Sequence, residues 1–140
     1  MKSIVLDASV VASAFFPETH SDAAKALLVA GHSLHAPELL YAEVANVIWK
    51  RGRRGEIAPG EAEALFSDIM DLPIETASIE ELAPAALQLA IRTRQTVYDC
   101  LYLALAMKLK TTVASGDQRL VNALAGTPFE EHVAWIGKRG

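Results

Sequence analysis

Four carboxylates stand where their apolar neighbours make them costly. Asp7 ends the run Ile4-Val5-Leu6, and Asp117 follows Val113-Ala114-Ser115-Gly116. Asp99 opens the apolar stretch Leu101 to Leu109, and Glu43 lies inside the stretch Leu39 to Trp49. A buried carboxylate is unfavourable unless positive charge meets it. Near Asp7 and Asp117 in sequence, the only basic residues are Lys2 and Arg119. Hard divalent cations, held by carboxylate oxygens, would supply the missing charge. A pair of magnesium or manganese ions about 4 Å apart can hold a phosphodiester, lower the pKa of a bound water and stabilise the leaving oxygen. That work needs three or four carboxylates converging from separate elements.

Each acid also has a plainer reading. Asp7, Asp99 and Asp117 all sit where a side chain could cap the helix that follows, and Ser9 competes with Asp7 for that task. Glu43 resists such a reading. At about 100° per residue, Glu43 falls about 40° from Leu39, between Leu39 and Val47 on an apolar arc rather than a polar face. Asn46 and Lys50 continue the same stripe, and a salt bridge from Glu43 to Lys50 is its alternative. Ser9 and Ser115 lie two residues from Asp7 and Asp117, where their hydroxyls could orient those carboxylates. Ordinary turn chemistry would use the same serines.

The elements that must position these groups alternate along the chain. Lys2 to Leu6 reads as a buried strand, and the apolar run Ala8 to Phe16 stops at Pro17. Ser21-Asp22 predicts a capped helix through Ala30, with Gly31 as its stop. Ser33 to Ala36 is a brief strand, Glu38 to Arg51 a long helix, and 52–60 a turn-rich break. Glu61 to Met70 is a helix, Pro73 to Thr76 a strand, and Glu80 to Thr93 a helix carrying Pro84 near its first turn. Tyr98 to Leu109 is an apolar helix, Thr111 to Ala114 a strand, Gln118 to Ala125 a short helix, and Val133 to Ile136 a last strand. Alternating strands and helices imply an α/β fold with a mainly parallel sheet covered on both faces. Ligands of such sheets sit beyond the carboxyl ends of strands, where Asp7 and Asp117 could meet.

The bulk numbers fit this reading. A chain of 140 residues that is 51% hydrophobic suits one globular domain spanning 1–140. No apolar run reaches the length of about 20 residues that a membrane span needs, and the N-terminus enters a strand without a leader pattern. Cys100 is the only cysteine, which excludes an internal disulfide and suits a reducing, cytoplasmic setting. The net charge of −4 argues against a nucleic-acid partner until bound dications are counted, since they reverse the local field. Lys50-Arg51-Gly52-Arg53-Arg54 is a basic cluster that either complements a helix dipole or meets phosphate, with Lys50, Arg53 and Arg54 as candidate phosphate contacts. His20, His32, His35 and His132 have no zinc-ligand spacing and read as surface or turn residues, and no phosphate-loop, dinucleotide or nucleophile-elbow motif occurs.

The segments IVLDASVVASAFFPE, APELLYAEVANVIWKRGRRGEI, TVYDCLYLALAMKL and TTVASGDQRLVNAL, in this order and spacing, resemble the PIN-domain ribonucleases. Within that family the likeness is to the VapC toxins of toxin–antitoxin pairs. The resemblance implies a three-layer sandwich with a central parallel sheet of about five strands. It also implies magnesium- or manganese-dependent cutting of RNA, with Asp7, Glu43, Asp99 and Asp117 as the acidic catalytic and metal-binding set. A VapB-like antitoxin whose C-terminal segment lies across the active-site groove, and a homodimer, are implied as partners. Ser115 occupies a place usually held by threonine or serine. Gly116 departs from the family pattern, which more often has a larger residue there.

Overall fold

The computed structural model describes residues 2–137. Five strands, β1 (Ser3–Leu6), β2 (Ser33–Pro37), β3 (Ile74–Ala77), β4 (Val113–Ser115) and β5 (Val133–Trp135), form one sheet in the order β3-β2-β1-β4-β5. Every pairing is parallel, with Val5 opposite both His35 and Val113. The chain adds β2 and β3 on one side of β1 and then returns to add β4 and β5 on the other. The strand order therefore reverses between β1 and β4. Such a reversal opens a crevice past the strand ends, because the connections on its two sides leave in opposite directions.

Seven helices surround the sheet: α1 (Ala8–Phe15), α2 (Ser21–Val29), α3 (Leu39–Arg53), α4 (Pro59–Met70), α5 (Ile79–Thr93), α6 (Val97–Lys108) and α7 (Gln118–Leu124). The central strand is short and apolar because both of its faces are covered. Val5 and Leu6 are fully buried, together with Val10 and Val11 of α1, Leu40 and Val44 of α3, and Val113 of β4. Burying each such side chain contributes about 1.5–3 kcal/mol relative to exposure. Helix α6 is buried on all sides from Cys100 to Ala106 and packs against β1, β2 and β4. That explains its nearly uninterrupted apolar sequence.

Several boundaries differ from the sequence reading, each for a local reason. Ser21 is the first residue of α2 and not its cap, since its hydroxyl accepts from the Glu18 amide and donates to the Phe16 carbonyl. Helix α3 runs through Gly52 to Arg53 because Gly55, and not Gly52, takes the left-handed conformation, at φ 79°, that ends a helix. Lys50, Arg51 and Arg53 in its last turn complement the negative end of the helix dipole. Helix α4 begins at Pro59, where proline loses no needed hydrogen bond, and the Glu61 carboxylate accepts from the Ala58 amide. Pro84 lies inside α5 rather than in its first turn. His35 lies within β2 with its ring against Ser33 and Glu75, instead of in a turn. A 3₁₀ turn, Glu130–His132, precedes β5 and has no counterpart in the sequence reading.

Candidate active site

Asp7 immediately follows β1, and its amide donates to the Ala114 carbonyl of β4 at 3.3 Å, so the first acid is fixed to the neighbouring strand. Its Oδ1 accepts from the Val10 amide at 3.2 Å and from the Ser9 hydroxyl. The Ser9 oxygen in turn accepts from the Gly116 amide at 2.8 Å. Ser9 thus links the turn after β4 to the acid after β1. A Cβ at Gly116 would lie 3.0 Å from the Ser9 Oγ, so a larger residue there would require Ser9 to shift.

Asp117 caps α7, with Oδ1 accepting from the Leu120 amide at 3.3 Å, while its own amide donates to Ser115 Oγ at 2.9 Å. Capping is thus a real role for both Asp7 and Asp117, and in each it engages only one carboxylate oxygen. For Asp99 the capping reading fails. Thr96 caps α6 by accepting from the Asp99 amide at 3.1 Å, which leaves the Asp99 carboxylate free of that duty in the first turn. Glu43 makes no bridge to Lys50. Its Oε1 accepts from the Tyr102 hydroxyl at 2.5 Å, across from α6 to α3.

The electrostatics tie the four acids together. Burial raises the Asp7 carboxyl from its ordinary value of 3.8 to about 6; hydrogen bonds from Ser115, Ser9 and the Val10 amide oppose the rise, and the Asp117 charge adds to it. Burial also raises Glu43, opposed by the Tyr102 hydrogen bond and reinforced by the Asp99 charge. The Tyr102 hydroxyl is pushed upward by burial, then by its hydrogen bond to Glu43 and by the charges of Glu43, Asp7 and Asp99. A carboxylate whose charge disfavours ionisation of another lies near it, as Asp117 does to Asp7 and Asp99 to Glu43. Four elements deliver them: the ends of β1 and β4, the body of α3 and the first turn of α6.

The donor set consists of carboxylate and hydroxyl oxygens, which suits a hard divalent ion. Among the described residues, however, no three His, Cys, Asp or Glu side chains are gathered closely enough to hold an ion as they stand. Two of the carboxylate contacts go to other side chains. Glu43 is turned to Tyr102, and the Arg119 Nη2 lies between Asp99 Oδ2, at 3.2 Å, and Asp117 Oδ2, at 3.1 Å.

The remaining predicted residues divide. Ser9 and Ser115 lie at the acids, whereas Asn46 is exposed on α3. In the basic cluster, Arg51 pairs with Glu18 and Glu56 and its guanidinium lies 4.2 Å above the Phe16 ring. Lys50 is exposed, Arg53 stacks on Trp49 at 4.8 Å, and Arg54 lies 3.7 Å from Glu56. Cys100 is buried, its thiol pushed up by desolvation, which suits a core residue.

Tyr102 and Arg119 are the groups that sequence reasoning missed. Tyr102 lies three residues after Asp99, one helical turn along the same face, and is 3% exposed. Tyr102→Phe keeps the packing and removes the donor to a half-buried carboxylate. A hydrogen bond to a charged group contributes about 1.5–3 kcal/mol, so the kcat/KM of a reaction that uses Glu43 is expected to fall by about tenfold to a hundredfold. Unchanged kcat/KM in the folded variant would remove Tyr102 from the site.

The sequence pattern of the PIN domain family matches residues 4–125. The chain is 33% identical to Ribonuclease VapC3 of Pyrobaculum aerophilum over 119 residues, which span 84% of this chain and 91% of that protein. The fold is also similar to a Pyrobaculum aerophilum protein of known crystal structure, with a TM-score of 0.66 at 20% identity over 90% of this chain and 82% of that one. A chain of a toxin–antitoxin complex from Klebsiella pneumoniae matches with a TM-score of 0.66 at 15% identity over 94% of this chain and 96% of its own. This chain belongs to the PIN-domain family, and within it to the VapC-like branch.

Proposed function

We propose that the chain is a divalent-metal-dependent endoribonuclease, with Mg2+ or Mn2+ as its ion, and that it acts as the toxin of a type II toxin–antitoxin pair. What supports this reading is the placement of Asp7 and Asp117 just past β1 and β4 at the sheet's point of reversal, with Asp99 sharing Arg119 with Asp117, in a PIN-family chain. Bound there, the ion would activate water and neutralise charge on the scissile phosphate. Asp7 and Asp99 are the main ligands in this account, and Asp117 completes the acidic set. Glu43, held by Tyr102, orients the attacking water. Ser9 and Ser115 fix the directions of Asp7 and Asp117. Asn46 sits one turn beyond Glu43 as a polar neighbour, and Lys50, Arg53 and Arg54 meet RNA phosphates.

The proposed partner is a VapB-like antitoxin that covers the acids, and the proposed assembly is a homodimer of single-domain chains in the cytoplasm. No helix among the described residues is long and apolar enough to cross a membrane. The name of the Pyrobaculum relative supports the RNA substrate, and the Klebsiella complex supports an antitoxin partner. Co-expression with the product of a small adjacent reading frame tests the toxin assignment. The expected result is a co-purifying complex that leaves RNA intact, and a free chain that cuts it. A complex as active as the free chain would contradict antitoxin control of this site.

A further inference from the structure

Arg119 is the second residue of α7, where the positive end of the helix dipole disfavours a cation. Its presence there does nothing for the helix. The side chain is instead turned toward the acids: one nitrogen, Nη2, donates to Asp99 Oδ2 at 3.2 Å and to Asp117 Oδ2 at 3.1 Å. The other, Nη1, donates to Gln95 Oε1 at 2.9 Å. Gln95 lies in the turn between α5 and α6, and its own amide nitrogen donates to the Thr93 carbonyl at 3.3 Å. Three separate segments therefore meet on one guanidinium.

We infer that Arg119 is an internal counter-cation, latched by Gln95, that a divalent ion must displace from Asp99 and Asp117 before the site is loaded. The inference rests on the metal-site reading above. The two oxygens that Arg119 occupies are ones that an ion bridging these acids would need, so guanidinium and ion exclude each other. Displacement is feasible because the Arg119 side chain is 63% exposed and can swing into water without opening the core. Its hold is limited for the same reason, since ion pairs this open to solvent are weak. The arrangement lowers the apparent metal affinity by the fraction of molecules in which the latch is closed. It also keeps two neighbouring carboxylates compensated in the metal-free protein.

Calorimetric titration of Mn2+ alone into the full chain tests this. Arg119→Gln is expected to tighten Mn2+ binding by about tenfold, since it removes the competitor. Gln95→Ala, which leaves the charge unchanged, is expected to tighten it by about threefold by loosening the latch. Arg119 is exposed and Gln95 half-buried, and an unchanged melting temperature establishes that the variants are folded. Unaltered or weakened affinity in Arg119→Gln would overturn the inference. Tighter binding in Arg119→Gln with none in Gln95→Ala would reduce it to a bare charge effect and overturn the latch. Failure of all three proteins to bind Mn2+ would overturn the metal-site reading itself. Binding by Arg119→Gln alone would uphold the metal-site reading and the counter-cation but overturn the Gln95 latch.

Discussion

Asp7→Asn and Asp99→Asn are each expected to lower RNA cleavage by about a thousandfold while the protein stays folded. Asparagine matches aspartate in shape and caps helices as well, so the Asp7 contact to the Val10 amide survives the change. Asp99 has no capping duty to lose, because Thr96 performs it. The cost to α6 is limited to one favourable charge in its first turn, about 0.3–1 kcal/mol. What each substitution removes is a negative oxygen from a set that must hold a dication. A loss of about 4 kcal/mol of transition-state stabilisation corresponds to about a thousandfold in rate. Cleavage assays with matched melting curves check this, and wild-type cleavage by folded Asp7→Asn would contradict the proposed mechanism.

The same residue makes a prediction about stability in the absence of metal. The folded state raises Asp7 from 3.8 to about 6, so the folded protein binds that proton more tightly than the unfolded chain does. The associated stability is fully present below the unfolded value and is lost as pH rises through the folded one. In chelator, the difference in unfolding free energy between wild type and Asp7→Asn is therefore expected to change across the window from about pH 4 to about pH 6. Near neutral pH the variant is expected to be more stable, by up to about 3 kcal/mol. Glu43, also raised by burial, carries the same sign and remains in both proteins. Denaturant titrations at a series of pH values measure the difference. A constant difference across the window would mean that the Asp7 carboxylate is not desolvated. Together the two predictions describe a residue that spends stability on chemistry.

The sheet was legible because its strands are short apolar runs set between helical stretches, and because an acid ends two of them. Asp7 and Asp117 carried an ambiguous signal, since a carboxylate just past a buried strand can also cap the next helix, as both do here. Glu43 stood out as an acid on an apolar arc. Its partner did not. A tyrosine in the apolar helix α6 reads as core, and Tyr102 lies 59 residues from Glu43 along the chain. Only packing of α6 against the sheet, with α3 close beside it, shows that the hydroxyl meets the carboxylate. The cap of α6 was findable, since Thr96-Val97-Tyr98-Asp99 has the spacing of a capping sequence. Asp99 itself reads as a cap because the uninterrupted apolar stretch begins at Leu101, but the helix starts earlier, at Val97. Helix α3 was cut short because Gly52 resembles a stop, although the residue with a left-handed backbone is Gly55. The close approach of Ser9 to Gly116 depends on the register of β1 against β4, which sequence alone does not supply.

The most direct test of the central claim is RNA cleavage by the purified chain after metal is removed and then restored. The account predicts that cleavage stops in excess chelator and returns when Mg2+ or Mn2+ is added beyond it. It also predicts that the ion restores nothing to Asp99→Asn. Undiminished cleavage in chelator would contradict the claim that these four carboxylates work by holding a dication.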